Sequence, residues 1–267
     1  MNTLSVVLKT LGLCTVVLFL AIGCQQTSQT KSDLSPVNSS VLRVGITANA
    51  PPFVFKQAGA ITGLEPSLAL KLGKQLNKEV KFIEVPWDKH FDYLNDGKTD
   101  IIMSGMTITQ QRSYLVNFSK PYLRSGQIML VRMEDMQRFG SGMDSILNTN
   151  HRIGTVSDTV SDFFVSAAIN GANEIAHKSP QDAVDALIKK EIDVFIYDAP
   201  IVCYYAAKHQ KDKLAPILEM GTEEYIGWAV RKNDTKLLQE VNSFIETMVN
   251  DGLLNQEINY WIPYLYR

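Results

Sequence analysis

Residues 97–112 read GKTDIIMSGMTITQQR. Asp96 and Gly97 stop the helical run of residues 87–94 that precedes them. Ile101, Ile102 and Met103 form a short apolar run bounded by polar residues, as in a buried strand. The loop of residues 104–107 leaves the carboxyl end of that strand. Open α/β sheets bind their ligands beyond such ends. A guanidinium, that of Arg112, follows shortly after.

Working outward, the same alternation covers the chain. Residues 41–46 and 80–85 read as strands, and Leu64, Leu68, Leu72 and Leu76 recur at helical spacing between them. Strand, helix, strand, helix argues for a parallel sheet flanked by helices. The pattern then repeats. Residues 152–156, 174–176 and 192–197 read as strands, and residues 158–168 and 199–208 as helices. Ser157 or Asp158 is the expected N-cap of the first of these helices. Pro180 follows Ser179 at the first position of another. The chain is therefore expected to form two α/β lobes, each a mainly parallel sheet flanked by helices and joined by a two-strand hinge. Residues 41–126 plus 232–267 would form lobe 1 and residues 133–223 lobe 2. Residues 127–132 and 224–231 would cross between them, a natural site for closure.

The N-terminus reads differently. Residues 1–23 carry one charge, Lys9, and an apolar run over residues 11–20 that is too short for a membrane span and has the length of a signal-peptide core. It ends in Leu20-Ala21-Ile22-Gly23-Cys24, which resembles a bacterial lipobox although Ala21 stands where Leu is usual. Such a box implies lipid on Cys24, and several acyl chains on one residue anchor stably. The polar residues 24–40 read as a flexible tether. With Cys14 removed and Cys24 lipidated, Cys203 is left alone, without a disulfide partner, and reads as a buried small hydrophobe. His90, His151, His177 and His209 are scattered, so no metal site is expected, nor any cofactor. A net charge of -2 over 267 residues gives no footprint for nucleic acid.

Several blocks, in order, resemble one family: Leu42-Arg43-Val44-Gly45, Pro51-Pro52-Phe53, Gly63-Leu64-Glu65, residues 97–112, Phe118-Ser119-Lys120-Pro121-Tyr122, residues 193–198 and residues 225–232. The chain is similar to the family-3 extracellular solute-binding proteins, the periplasmic polar amino-acid-binding receptors of ABC importers. The resemblance implies a monomer that closes on an amino acid and presents it to an ABC permease. It also implies roles. Arg112 would hold the ligand carboxylate fork to fork. Asp198 would take the ammonium, with Ser104, Gly105 and Thr107 completing its shell. The backbone at Thr159 and Val160, opening a helix, would favour an anion. Phe53, Trp87 and Tyr122 are candidate walls for the side-chain pocket, and each also fits plain core, the commoner fate of an aromatic.

Other readings fit the residues alone. Arg112 also fits a solvated surface position, and Asp198 an ordinary N-cap before Ala199 and Pro200. Thr47 stands where relatives often carry an acid, so a neutral or weakly polar ligand side chain is expected. Ala50 replaces a common aromatic, and Asp158 a common glycine. A dehydratase on the same fold would need a general acid, for which Glu65 is the candidate, although an acid early in a helix also serves the dipole. No fused catalytic module is expected. A sensory receptor for a membrane partner would use the same closure.

Overall fold

The computed structural model describes residues 40–147, 150–169 and 171–263. The chain divides into two units, Met1–Asn38 and Ser39–Arg267, and the described residues belong to the second. The signal segment, Cys24 and the tether up to residue 39 lie outside the described residues.

The chain begins with β1 (Val41–Ile46), β2 (Asn49–Ala50), β3 (Val54–Gln57), β4 (Ala60–Thr62) and α1 (Leu64–Gln75). Then come β5 (Glu79–Glu84), α2 (His90–Asn95), β6 (Ile101–Ile102), α3 (Gln110–Leu115) and β7 (Asn117–Phe118). β8 (Leu123–Ser125), β9 (Gln127–Arg132), β10 (Arg152–Val156), α4 (Val160–Ala168), β11 (Asn173–His177) and α5 (Pro180–Ile188) follow. The last elements are β12 (Val194–Asp198), α6 (Ala199–Lys208), β13 (Leu214–Ile217), β14 (Glu224–Ile226), β15 (Ala229–Val230), α7 (Thr235–Asn250) and α8 (Leu253–Trp261).

Two five-stranded sheets result, in the orders β5-β1-β6-β15-β7 and β11-β10-β12-β9-β13. In each, three strands run parallel, as the alternation of strands and helices predicts. Each sheet is then extended by antiparallel pairings, through β15 in one and β9 in the other. Four strands of each sheet thus run in one direction, as expected, and β15 in one and β9 in the other run against them, returning without a helical crossover. The helix α1 forms where leucine spacing predicts it, and Leu64, Leu68 and Leu72 are fully buried. Each such burial contributes roughly 1.5–3 kcal/mol.

Both sheets are tied by the same device. At the start of β1, the Arg43 backbone N–H and Nε both donate to Asp100 Oδ2, at 2.9 and 3.0 Å. At the start of β10, Arg152 does the same to Asp193, at 2.9 and 3.2 Å. Each aspartate directly precedes the neighbouring parallel strand, so each arginine sets the register of a strand pair. This repeat was not read from the sequence.

The connection differs from expectation. Residues 127–132 do not run between the sheets. As β9 they pair with β12 on one side and β13 on the other. Ile128 and Leu130 enter one apolar cluster, Met129 and Val131 another. A strand buried on both faces reads as one continuous apolar run, and only a position inside a covered sheet satisfies it. The strands that lie between the sheets are β8 and β14, paired antiparallel as Leu123↔Ile226, Arg124↔Tyr225 and Ser125↔Glu224.

Candidate functional site

The carboxyl ends of β1, β6, β10 and β12 face one cleft. The first sheet contributes Thr47, Phe53, Trp87, Ser104, Gly105, Thr107 and Arg112 to its lining. The second contributes Thr159, Val160 and Asp198. Every residue singled out from the sequence as a binding candidate, Tyr122 excepted, therefore lies on one cavity. Tyr122 is core instead. Its ring lies 5.2 Å from that of Trp228, and its hydroxyl donates to Glu65 at 2.5 Å.

Arg112 is not a surface residue. Thr109 caps α3 by accepting from the Arg112 backbone N–H at 3.2 Å, which roots the side chain at the helix start. Its guanidinium donates to the Thr107 carbonyl at 3.0 Å and lies over the Trp87 ring, 5.4 Å from its centroid. Burial lowers its pKa, opposed by the charges of Asp198, Tyr197 and Glu224. A cation held this way, with one fixed contact and further N–H donors facing the cleft, is prepared for an anion.

Asp198 ends β12 and precedes α6, yet its side chain makes no capping hydrogen bond. Its Oδ1 accepts from Gln127 Nε2 at 2.6 Å instead. The same Nε2 donates to Glu224 Oε1 at 3.0 Å. Glu224 also accepts from Thr222 Oγ1 at 2.6 Å and Thr107 Oγ1 at 3.1 Å. One amide thus bridges two buried carboxyls at the cleft floor, and Glu224 ties the strand pair β8–β14 to both walls. Burial pushes Asp198 up to about 7, reinforced by Glu224 and opposed by Gln127 and Arg112. Gln127 and Glu224 were missed in the sequence. Polar residues at the ends of apolar strands are the available signal, and it is a weak one.

The loop of residues 104–107 is held from behind. Glu65 is fully buried and accepts from Gly105 N at 2.9 Å, Tyr122 Oη at 2.5 Å and Trp228 Nε1 at 2.7 Å. Gly105 has φ +66°, and a side chain there would sit 3.1 Å from the Phe53 ring. Glycine is therefore required both for its φ and for close approach. Ser104 Oγ accepts from Thr47 N at 2.9 Å. Thr47 Oγ1 donates its single hydrogen to the Val85 carbonyl at 2.8 Å, so at its 2.8 Å contact with His90 it accepts from Nε2. His90 is buried and its ring meets Trp87 edge-on at 5.7 Å. Burial, aided by Arg112, lowers its pKa to about 4, so it stays neutral. The histidine serves as a brace for Thr47 and Trp87.

Across the cleft, α4 starts at Val160 with Thr159 as its N-cap, not Ser157 or Asp158. The Thr159 hydroxyl turns back to the Val156 carbonyl at 2.6 Å, leaving the first helical N–H groups without intrahelical acceptors. Asp158 adopts φ +61°, the conformation for which glycine is usual. Asp158 is exposed, and it lines a second pocket that shares Trp87, Arg112 and Val160 with the cleft. Its carbonyl accepts from Trp87 Nε1 at 2.9 Å, a bond that spans the cleft. Cys203 is half-buried rather than buried, and burial lifts its thiol to about 11, which leaves it unreactive. No cluster able to hold a metal ion occurs among the described residues.

Glu65, the candidate general acid, does not line the cleft. Burial raises it to about 7, but both its oxygens are occupied in the core, where it cannot reach a bound molecule.

This geometry has close parallels. A "Probable histidine-binding protein" of Neisseria gonorrhoeae is 28% identical over 245 residues, 90% of this chain and 88% of that one. The crystal structure of an ancestral amino acid-binding protein, a precursor of cyclohexadienyl dehydratase, is 31% identical with a TM-score of 0.77, covering 84% of this chain and 95% of that one. A cyclohexadienyl dehydratase of Pseudomonas aeruginosa is 23% identical, covering 85% of each chain. Residues 42–264 match the bacterial extracellular solute-binding proteins, family 3. With its two sheets and the lined cleft between them, the chain belongs to that family of solute-binding proteins.

Proposed function

We infer that the protein captures an α-amino acid outside the cytoplasm and presents it to an ABC permease. The observation that supports this reading is the pairing of Arg112 and Asp198, opposite charges buried on opposite walls of one cleft. A zwitterion satisfies both, its carboxylate on Arg112 and its ammonium on Asp198. Residues 104–107 and the start of α4 supply the remaining donors and acceptors. Lobe 1 carries the first sheet and lobe 2 the second, and β8 with β14 serve as the hinge. A cationic ligand side chain finds no acid at Thr47, whose hydroxyl is already committed to Val85 and His90. An unpaired buried charge is costly. A thermal-shift screen of the twenty amino acids tests this reading: a neutral or acidic one should stabilise most, and no shift with any of them would overturn it.

Binding should also release a proton. In the free protein Asp198 titrates at about 7. A bound ammonium favours the carboxylate, so below pH 7 the proton on Asp198 is expelled on binding. Affinity is therefore expected to rise with pH up to about 7, approaching tenfold per unit on the acid side. Arg112, Gln127 and Glu224, which face Asp198, modulate this slope without reversing it. Calorimetry at pH 6 in buffers of different ionisation enthalpy should show about one proton released, and Asp198→Asn should remove that release together with most of the affinity. A pH-independent affinity between 5 and 7 would place the ammonium elsewhere.

Anchoring is proposed through lipid on Cys24, with residues 25–40 as tether. Cys24→Ala should release the protein in soluble form or leave its precursor uncleaved. Unchanged membrane retention and unchanged mass would rule the anchor out.

A further inference from the structure

Three charged side chains line the cleft: Arg112, Asp198 and Lys178. The first two balance a zwitterion, and Lys178 is left over. It lies in the turn between β11 and α5, just before Ser179, whose Oγ caps α5 by accepting from Asp182 N at 3.2 Å. The cap fixes where the turn, and with it Lys178, faces the cleft. Lys178 is exposed and has no ion-pair partner among the described residues, whereas Lys190, beyond the other end of α5, pairs with Glu134 at 2.7 Å. Asn49 and Ala50 of β2, against which α5 packs, line the same cleft. Small Ala50 leaves room there, and Asn49 brings an amide.

Among the described residues, Glu224 is held at the cleft floor by Gln127, Thr107 and Thr222, Glu65 is occupied in the core, and neither of these acids nor the exposed Asp158 forms an ion pair with Lys178. A bound zwitterion would occupy Arg112 and Asp198 and leave the Lys178 ammonium without an acidic partner, on the same lining as the Asn49 amide. Like charges brought together in a closed cleft repel, and an oxygen acceptor is attracted.

We propose that Lys178 determines side-chain specificity, and that the solute is an α-amino acid whose side chain ends in a carboxylate or carboxamide. The ammonium of Lys178 and the amide of Asn49 both donate to that terminal oxygen group. This rests on the amino-acid reading above. It narrows it by placing the acidic and amide amino acids ahead of apolar ones, and cationic ones last.

Calorimetry with glutamate, aspartate, glutamine, asparagine, norleucine, lysine and arginine tests the proposal, on the parent and on Lys178→Met, Lys178→Arg and Lys189→Met. In the parent, one of the first four should bind tightest. Lys178→Met should lower the affinity for that ligand relative to norleucine by at least tenfold, more for a carboxylate than for an amide. Lys178→Arg should restore most of the preference, and Lys189→Met, outside the cleft, should keep it. Because Lys178 is exposed, melting of the empty variants should match the parent. Tightest binding of lysine, arginine or norleucine by the parent would overturn the proposal while leaving the amino-acid reading intact. So would a selectivity change below threefold in Lys178→Met. If the parent binds no amino acid at millimolar concentration, the amino-acid reading itself fails, and this proposal with it.

Discussion

Arg112→Ala is expected to weaken solute binding by roughly 30- to 4,000-fold, the equivalent of ~2–5 kcal/mol. The magnitude follows from what is left behind. A ligand carboxylate brought into the cleft without its guanidinium is a buried, unpaired charge, and the surviving donors of α4 offer only partial compensation. The empty protein should tolerate the change. Arg112 is buried, with one hydrogen bond to the Thr107 carbonyl and an aromatic face beneath it. Holding a cation there costs desolvation, seen in its lowered pKa. Removing the charge relieves that cost, so the melting temperature of the unliganded variant should not fall. Arg112→Lys should also bind poorly, because an ammonium forms no two-pronged contact with a carboxylate and reaches the Thr107 carbonyl less well. Calorimetry with the best ligand from the amino-acid screen, alongside melting of the empty proteins, checks both parts. Parent-like affinity in Arg112→Ala would place the carboxylate clamp elsewhere.

Glu65→Ala is expected to have the largest effect on stability, a loss of about 4 kcal/mol. Three buried donors, Gly105 N, Tyr122 Oη and Trp228 Nε1, converge on its carboxyl group. Each is orphaned by the change, and a cavity opens beside Trp228. In a chain of this size that corresponds to a melting temperature lower by about 10 °C. Glu65→Gln keeps the shape but turns an N–H toward one of the donors, and should lose about half as much. The pH dependence gives a second readout. Burial raises Glu65 from 4.5 to about 7. The associated stability is fully present below pH 4.5 and is lost as pH rises through 7. Glu65→Gln should flatten that decline. Denaturant titrations at pH 4.5, 6 and 8.5 on the three proteins suffice. A loss below 1 kcal/mol in Glu65→Ala would mean that the three donors find other acceptors. Because Gly105 is one of them, solute affinity should fall too, a route by which a residue off the cleft controls its shape.

The outline of the fold was legible because it depends on local pattern. Leucines at helical spacing put one face of α1 into the core, and Ser179 with Pro180 starts α5 as capping chemistry requires. The short apolar run at Ile101 and Ile102 gave a strand, and the loop after it lies at the mouth of the cleft. The sidechain types a zwitterion needs were also visible, since few groups offer a planar fork or a strand-end carboxylate. Tyr122 stays open between pocket wall and core in the sequence because an aromatic in a pocket and an aromatic in a core look alike there. Its partner, Glu65, decides the matter, and the two are far apart along the chain.

The sequence by itself determined the alternation of strands and helices, the two α/β units, and most of the residues that line the cleft. These rest on side-chain periodicity, on capping and on residue chemistry, all of them properties of neighbours in the chain. Tertiary structure alone decided which apolar strand entered a sheet. The run at β9 is apolar on both faces, and only its pairing with β12 and β13 shows that it lies inside the second sheet rather than between the two. Tertiary structure also assembled Asp198 and Glu224 around the Gln127 amide, and set Asp158 in the left-handed region at φ +61°. Buried charge states and hydrogen-bond partners depend on distances across the fold. Pattern along the chain carries no information about those distances.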